Sequence, residues 1–321
     1  MTDTIAEPII TARLDPKGDG IAGAVKVLAQ GGRVAFPTET VYGLGADARD
    51  GQAVAGIYAA KGRPSFNPLI AHVADVATAQ RYVIWDDVAD RIAAAFWPGP
   101  LTLVLPLRPD AGISPLVTAG LDTLALRLPA HPLAQELLRA FDGPLAAPSA
   151  NLSGRISPTT AEHVLADLDG LIEAVLMGGA CSVGVESTIL ALGPEPTLLR
   201  PGGLPAEALE AMLGVPLASG GSAETPTSPG QLLSHYAPSA GLRMNAQTVE
   251  QGEVLLGFGP VPGDMSLSPA GDLQEAAANL FGALHLLDRG GPKGIAVAPV
   301  PDHGLGRAIN DRLRRAAAPR D

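Results

Sequence analysis

Short apolar runs alternate with segments of helical periodicity through most of the chain. The apolar runs predict strands at 33–36, 69–73, 101–107, 123–128, 145–148, 174–177, 187–191 and 198–199. The helical segments lie at 21–30, 50–60, 86–96, 132–141 and 205–213, and a further helix starts at the capping box Thr159-x-x-Glu162. This alternation indicates an α/β fold with a parallel or mixed sheet.

The pattern breaks at 215–238, where glycine, serine, threonine and proline replace the apolar periodicity. We therefore predict a tail at 1–13, a domain at 14–214, a linker at 215–238 and a smaller domain at 239–321. Strands at 253–258 and 294–300 and helices at 273–288 and 305–317 make the smaller domain a second α/β unit, of Rossmann-like type. The linker ends in SPGQLLSHYAP (228–238), whose paired leucines and His-Tyr pair indicate packing against the protein.

Composition narrows the class of protein. The net charge of −11 disfavours broad electrostatic binding to nucleic acid, although a local basic pocket remains compatible with it. The single cysteine, Cys181, excludes an internal disulfide and a multi-cysteine zinc site. The acidic N-terminus lacks the basic segment of a signal peptide, and the longest apolar run, 92–107, contains three prolines. We expect a cytoplasmic protein without a membrane span.

Four cations lie in or beside loops at strand ends: Lys61, Arg63, Arg127 and Arg200. Hydroxyl side chains share these loops, namely Thr38, Thr40, Ser149, Ser153, Ser157, Ser187 and Thr188. The combination suits a ligand with several phosphates, which needs positioning and neutralisation of charge. The alternative is that each cation pairs with a surface carboxylate, the usual situation of a single arginine.

Familiar catalytic motifs are absent from the sequence. It contains no Walker A loop, no H-E-x-x-H, no G-x-S-x-G and no kinase signature. The series Gly43-x-Gly45-x-x-Ala48 weakly matches a dinucleotide-binding fingerprint, and its glycines are expected to allow a tight turn. The sequence therefore offers no evident nucleophile for covalent catalysis.

Several phrases, in a fixed order, give the chain a family resemblance. They are PTETVYGLG (37–45), KGRP (61–64), NPLIAHV (67–73), WPGPLTLVL (97–105), LALRLPAHP (124–132), APSANLSG (147–154), ESTIL (186–190), LRPG (199–202) and SPGQLLSHYAP (228–238). With them the sequence closely resembles the YrdC-like threonylcarbamoyl-AMP synthases, in the long form that carries a C-terminal domain. The resemblance implies a twisted mixed or parallel sheet with flanking helices and a concave basic cavity.

The resemblance also implies a reaction. L-threonine, bicarbonate or CO2, and ATP would give L-threonylcarbamoyladenylate and pyrophosphate, which makes the enzyme a nucleotidyltransferase. The product would supply the threonylcarbamoyl group that other proteins place on an adenosine beside the tRNA anticodon. A monomer is expected, without stable binding of tRNA.

Site residues follow from the resemblance where its motifs match. Lys61 and Arg63 are the expected catalytic residues. The ATP site would comprise Lys61, Arg63, Asn67, Thr123, Ser149, Ser157, Arg200 and Tyr236. The L-threonine site would comprise Thr40, His72, Arg127, Ala147 through its backbone, and Ser187. Arg127 would receive the substrate carboxylate through a bidentate fork, and Tyr236 would make the linker a lid.

Two of these assignments leave alternatives open. His72 can instead be a histidine with satisfied hydrogen bonds at a strand end. Mg²⁺ is expected with ATP, but Glu39 and Glu186 are the only carboxylates in the motifs, so the phosphates would hold most of it.

Two other functions compete with this one. A nucleic-acid-binding module is disfavoured because of the negative charge and because no aromatic residues are interleaved with the basic ones. The carbamoyltransferase that matures hydrogenases contains a related domain but also needs cysteine pairs for zinc, and one cysteine excludes these.

Overall fold

The computed structural model describes residues 9–220, 228–230 and 234–319. The strands are β1 (Ala12–Leu14), β2 (Val34–Phe36), β3 (Gly43–Asp47), β4 (Ile70–His72), β5 (Leu101–Pro106), β6 (Thr123–Arg127), β7 (Leu145–Ala146), β8 (Ala174–Leu176), β9 (Thr188–Ala191), β10 (Thr197–Arg200), β11 (Ala218–Ser219), β12 (Gly241–Arg243), β13 (Glu253–Gly257), β14 (Met265–Ser266) and β15 (Gly294–Val297). The helices are α1 (Gly20–Ala29), α2 (Gly51–Lys61), α3 (Val76–Gln80), α4 (Asp87–Phe96), α5 (Pro115–Thr118), α6 (Pro132–Phe141), α7 (Ala161–Leu168), α8 (Ala206–Leu213), α9 (Leu273–Arg289) and α10 (Leu305–Ala317).

A mixed sheet carries the first part of the chain. Its strand order is β1-β8-β2-β3-β7-β4-β6-β5-β9-β10-β11. Strands β4 and β6 are parallel, whereas β3 is antiparallel to both β2 and β7, and β5 is antiparallel to β6. The predicted α/β class with a mixed sheet is confirmed.

A second, smaller sheet follows, with the order β12-β15-β13-β14 and parallel pairing throughout. Helix α9 packs against it through an apolar face that includes Leu280, Phe281 and Leu284, all fully or almost fully buried. This arrangement agrees with the small Rossmann-like unit expected from the sequence.

Several local predictions need correction. Residues 12 and 13, expected in the tail, form β1 together with Leu14, because the three pair in parallel with β8, about 160 positions further along the chain. Helix α7 is capped by Thr160, one position after the expected Thr159, since the Thr160 hydroxyl accepts from the His163 amide. The linker contains β11, which pairs with β10. Residues 221–227 and 231–233 of the linker lie outside the described residues.

Gly43 and Gly45 lie in a strand, β3, where a tight turn was expected. A Cβ atom on Gly45 would approach the Phe36 ring to 2.8 Å. Glycine at position 45 lets β3 lie directly under that ring. The turn is made instead by residues 38–41, where the Thr38 hydroxyl donates to the Val41 carbonyl.

The two units share an apolar interface. Val41, Ile156 and Val185 of the first unit belong to the same buried cluster as Phe281 and Leu280 of α9. The residue beside Val185, Gly184, has φ +75°, and a Cβ on it would lie 2.4 Å from the Ala277 carbonyl oxygen. The backbone of the first unit thus touches the backbone of α9 without an intervening side chain.

Replacing Gly184 by alanine is expected to lower the stability of the interface by about 2 kcal/mol, because the residue would combine a left-handed φ with a backbone clash. The measurement is the thermal midpoint, which should fall by about 3 °C for a shift of this size in a chain of this length. Gly282→Ala is the matched control. Gly282 lies within α9 with no atom near its Cβ position, so alanine should leave the midpoint unchanged or raise it. An unchanged midpoint for Gly184→Ala would contradict the close approach.

Candidate functional site

The ends of several strands meet at one cavity. His72 and Arg127 are paired neighbours at the carboxyl ends of the parallel strands β4 and β6. Ser187 precedes β9, and Arg200 ends the antiparallel neighbour β10. The cavity has about 530 Å³ of empty space, including the part open to solvent. Its lining includes most of the residues expected at the site: Thr40, Arg63, His72, Arg127, Ala147, Ser149, Ser187, Arg200 and Tyr236.

Three buried cations lie at or next to this cavity, and backbone oxygens are their main partners. Arg63 and Arg200 line the cavity, whereas Lys61 lies outside the lining and is hydrogen-bonded to the lining residue Ser149. Lys61 Nζ donates to the Ser149 carbonyl at 2.6 Å and to the Asn151 carbonyl. Arg63 Nη2 donates to Pro68 O at 3.0 Å. Arg200 Nε and Nη2 donate to Ser187 O at 3.1 and 2.9 Å. Among the described residues none of the three forms a salt bridge with a carboxylate, so the alternative of surface ion pairs is wrong for them.

The protonated forms of these cations are disfavoured by their surroundings. Burial, followed by the charge of Arg63, holds the pKa of Lys61 well below its ordinary value. Burial lowers the pKa of Arg63 to about 10. The pKa of Arg200 is also lowered, by burial and then by the nearby Arg312. An anion placed among them would relieve this excess of positive charge, so the site favours a polyanion.

A further lining residue of the cavity, Arg127, forms a buried ion pair with Glu39. Arg127 Nη2 lies 2.7 Å from Glu39 Oε1, and both side chains are buried. Arg127 Nη1 donates to Thr40 Oγ1 at 2.8 Å, and Glu39 Oε2 accepts from the Ala130 amide at 3.0 Å. The expected fork of Arg127 therefore already holds Glu39 and Thr40, and each terminal nitrogen retains one proton for a further acceptor.

Two buried side chains of the motifs have unused hydrogen-bonding atoms. Neither Nδ2 nor Oδ1 of Asn67 has a partner among the described residues, and the side chain is fully buried. His72 Nδ1 is likewise without a partner within the described part of the chain. Burial, then the charge of Arg127, lowers the pKa of His72 to about 3, so the ring is neutral at pH 7. His72 lines the cavity with one ring nitrogen, Nδ1, unpartnered in the described part of the chain, and its assignment to threonine stays a prediction. Asn67 is not part of the cavity lining, so its assignment to ATP stays a prediction as well.

The described end of the linker covers the cavity. Tyr236 is buried, its φ is +62°, and its hydroxyl lies against Gly230 and Arg200. The Ala237 amide donates to Gly154 O at 2.9 Å, which anchors the segment on the first unit. The expected packing of the HYAP part of the phrase is present, whereas its Gln-Leu-Leu part, 231–233, lies outside the described residues.

The remaining expected site residues differ in position. Ser157 lies behind the cavity wall, where its hydroxyl donates to Glu186 Oε1 at 2.5 Å. The Ala147 amide donates to Ile70 O at 2.9 Å, which leaves its carbonyl side for a ligand. Thr123 begins β6 on the face that Arg127 shares, about 13 Å along the strand, and is not part of the cavity lining. Its assignment to ATP stays a prediction.

The two carboxylates considered for Mg²⁺ do not fit a metal site. Glu39 is held by Arg127, and Glu186 Oε2 lies 2.8 Å from Arg312 Nε while its other oxygen accepts from Ser157. Within the described ranges, no group of three or more His, Cys, Asp or Glu side chains is arranged to hold a metal. Neither of these two carboxylates is thus available as a principal ligand, and the expected Mg²⁺ stays a prediction.

Two residues at or near the site were not predicted from the sequence. Arg312 of α10 reaches the cavity residue Glu186 from the second unit, to which the sequence analysis assigns no site residue. His235 lines the cavity beside Tyr236 and is buried. The phrase SHYAP drew attention to His235, but no local pattern marks Arg312, because its partner lies 126 positions away.

Two family models match successive parts of the chain. A family model described as "Telomere recombination" (Sua5_yciO_yrdC) matches residues 26–202, and one described as "Threonylcarbamoyl-AMP synthase, C-terminal domain" matches residues 204–318. The Threonylcarbamoyl-AMP synthase of Bacillus subtilis is 44% identical, over 97% of this chain and 96% of its own. That of Pyrococcus abyssi is 42% identical, over 92% and 93%.

A solved structure is similar over nearly the whole chain. It is Pyrococcus abyssi Sua5 complexed with L-threonine, with a TM-score of 0.87, 40% identity and coverage of 96% of this chain and 97% of that one. In the described ranges no helix is both long and apolar enough to cross a membrane.

Proposed function

The chain belongs to the threonylcarbamoyl-AMP synthase family, and from this premise we propose that it makes L-threonylcarbamoyladenylate from L-threonine, bicarbonate or CO2, and ATP. Pyrophosphate is the second product, so the enzyme is a nucleotidyltransferase. The adenylate supplies the threonylcarbamoyl group for the adenosine next to the anticodon of tRNAs.

One observation carries the proposal: Arg63 and Arg200 line one cavity, Lys61 is hydrogen-bonded to its lining residue Ser149, and all three are buried with backbone oxygens as their main partners. Each of the two carboxylates of the cavity, Glu39 and Glu186, is already neutralised by another arginine. The site therefore has a surplus of cations, as a triphosphate requires. The same cavity offers neutral His72 and the hydroxyls of Thr40 and Ser187, which suit an amino acid. Threonine in particular is supported by the Pyrococcus structure, whose description names L-threonine.

The chemistry needs no protein nucleophile. The threonine amine attacks bicarbonate or CO2 and becomes a carbamate; with bicarbonate, water leaves. A carbamate oxygen then attacks the α-phosphorus of ATP, the bond between the α-phosphorus and its bridging oxygen to the β-phosphorus breaks, and pyrophosphate leaves with that electron pair. The cations neutralise the charge that builds up on the leaving group, and the cavity brings three reactants together.

We assign the residues accordingly. Lys61, Arg63, Asn67 and Arg200 hold the triphosphate, with Ser149, Ser157 and Thr123 completing the ATP side and Tyr236 closing over it. Thr40, His72, Arg127, the backbone of Ala147 and Ser187 hold threonine. Mg²⁺ enters with ATP on the phosphate oxygens, since Glu39 and Glu186 are occupied.

We further propose that the enzyme works as a cytoplasmic monomer and passes its product to a separate threonylcarbamoyl-transferring complex. The net charge of −11 supports transfer without stable binding of tRNA. The product is a mixed anhydride of a carbamic and a phosphoric acid, so it reacts readily with an acceptor and needs prompt transfer.

The test of this function is the identity of the product. The protein is incubated with ATP, threonine and ¹³C-labelled bicarbonate, and the mixture is analysed by mass spectrometry. We expect an adenylate that carries both threonine and the label. A threonyl adenylate without the label would show that the amino acid is activated directly and would refute the carbamate route.

A further inference from the structure

Helix α10 of the second unit lies along the catalytic unit. Near its start, Arg307 pairs with Glu207 at 3.5 Å, and near its end the Arg315 carbonyl accepts from the His235 amide at 3.2 Å. Between these contacts Arg312 is buried, with 1% of its surface exposed. Burying a guanidinium group to this degree requires compensation by charge and hydrogen bonds.

The contacts of Arg312 connect the second unit, the cavity wall and the lid. Its Nε lies 2.8 Å from Glu186 Oε2, and its Nη1 donates to the Pro201 carbonyl at 2.8 Å. Its guanidinium carbon lies 5.2 Å from the centre of the Tyr236 ring, within cation–π distance. Its Nη2 is buried with no partner among the described residues.

We propose that Arg312 is a positioning residue of the ATP site, supplied by the second unit: it neutralises Glu186 and holds Tyr236 so that the lid closes over the triphosphate. The inference rests on the proposed function, because it assigns Arg312 to the ATP side of the same cavity. It gives the second unit a direct part in binding ATP.

Arg312 neutralises the charge of the Glu186 carboxylate. Glu186 lines the cavity close to Arg200, and the Ser187 carbonyl next to Glu186 accepts from Arg200 at 2.9 Å. Burial alone would raise the pKa of Glu186, but Arg312, Arg200 and Ser157 outweigh burial, so the carboxyl is ionised. Without Arg312, Arg200 would be the nearest remaining cation for this carboxylate, and the phosphates would meet an uncompensated negative charge.

Arg312 also holds Tyr236, the lid residue of the cavity. Tyr236 adopts φ +62°, a conformation that is strained for a residue with a side chain. Contacts on both sides of the ring maintain it: Phe281 of α9, with ring centres 5.7 Å apart, and the guanidinium group of Arg312. Loss of the cation removes one of these contacts, so Tyr236 should leave the cavity more often.

The experiment measures the dissociation constant of ATP by calorimetry, without threonine, for the full chain and its variants. We expect Arg312→Met to bind ATP about 10- to 100-fold more weakly, because it leaves the Glu186 carboxylate unpaired. The double variant Glu186→Gln/Arg312→Met removes the charge together with its partner, and its affinity should return to within about fivefold of the native value. A loss of packing alone would not be repaired by glutamine at 186.

Two further variants complete the test. Arg314→Met changes an exposed arginine of the same helix and should leave ATP binding unchanged. Arg312→Lys keeps a positive charge beside Glu186 and should bind more tightly than Arg312→Met; if the methionine variant does not fold, the lysine and double variants give the answer. Native affinity in folded Arg312→Met, or a double variant that still binds ATP tenfold or more weakly, would overturn the inference.

Failure of the function and failure of the inference give different results. If the native protein binds ATP but releases no pyrophosphate with threonine and bicarbonate, the proposed reaction is wrong, and the ratio of ATP affinities still decides the part of Arg312. If the native protein does not bind ATP, both are wrong.

Discussion

Replacing Lys61 by alanine is expected to lower the rate of pyrophosphate release by about 10²–10³-fold, the usual effect of removing one group that stabilises a developing negative charge. Lys61 is buried at the end of α2 and donates to two carbonyl oxygens of the 149–151 loop. Its pKa is held low mainly by burial, so the arrival of a triphosphate would strengthen its charge. The measurement is a coupled pyrophosphate assay at saturating threonine and bicarbonate.

The control for this variant distinguishes the loss of a positive charge at the site from the loss of a positive charge elsewhere in the chain. Lys17 is an exposed residue outside the KGRP motif at 61–64. Lys17→Ala should therefore retain native turnover. Circular dichroism and the thermal midpoint should show that Lys61→Ala is folded. Native turnover in a folded Lys61→Ala protein would remove this residue from the ATP site.

Arg127→Lys is expected to raise the KM for threonine by about 10- to 100-fold, because a lysine cannot hold Glu39, Thr40 and a substrate carboxylate with one ammonium group. The dissociation constant of ATP should change little, since Lys61, Arg63 and Arg200 are untouched. The measurement is the rate of pyrophosphate release as a function of threonine concentration.

A matched substitution is available away from the cavity. Arg33 also pairs with a glutamate, Glu173, through two nitrogens of its guanidinium group, and neither residue lines the cavity. Arg33→Lys should therefore leave the KM for threonine unchanged. If Arg127→Lys and Arg33→Lys gave the same small effect, Arg127 would be a structural residue alone.

The sequence predicts those parts of the fold whose signals are local. Asp50 and Asp86, the first residues of two predicted helical segments, cap α2 and α4, since a side-chain acceptor two or three residues from the first free amides is a local feature. Helix α6 has the predicted bounds, which proline at its first position helps to define. By contrast β1 and β3 were missed, because their pairing depends on partners distant in sequence or on glycines that resemble a turn.

For the site, the motifs identify residues but not their pairings. Arg63 and Arg200 line one cavity, with Lys61 hydrogen-bonded to its lining residue Ser149, and His72 and Arg127 lie beside each other on β4 and β6. The sequence does not reveal that Glu39 and Arg127 form a buried pair, since 88 positions separate them. Nor does the sequence reveal the contact of Arg312 with Glu186, because a contact between domains produces no periodic pattern of residues in the chain.

The most direct test of the account is pyrophosphate release from ATP with each reactant omitted in turn. We expect release only when threonine and bicarbonate are both present, because the carbamate of threonine is the nucleophile that attacks the α-phosphorus. Omission of either should reduce the rate to the background of a protein-free sample. Release that continues without threonine would contradict the central claim.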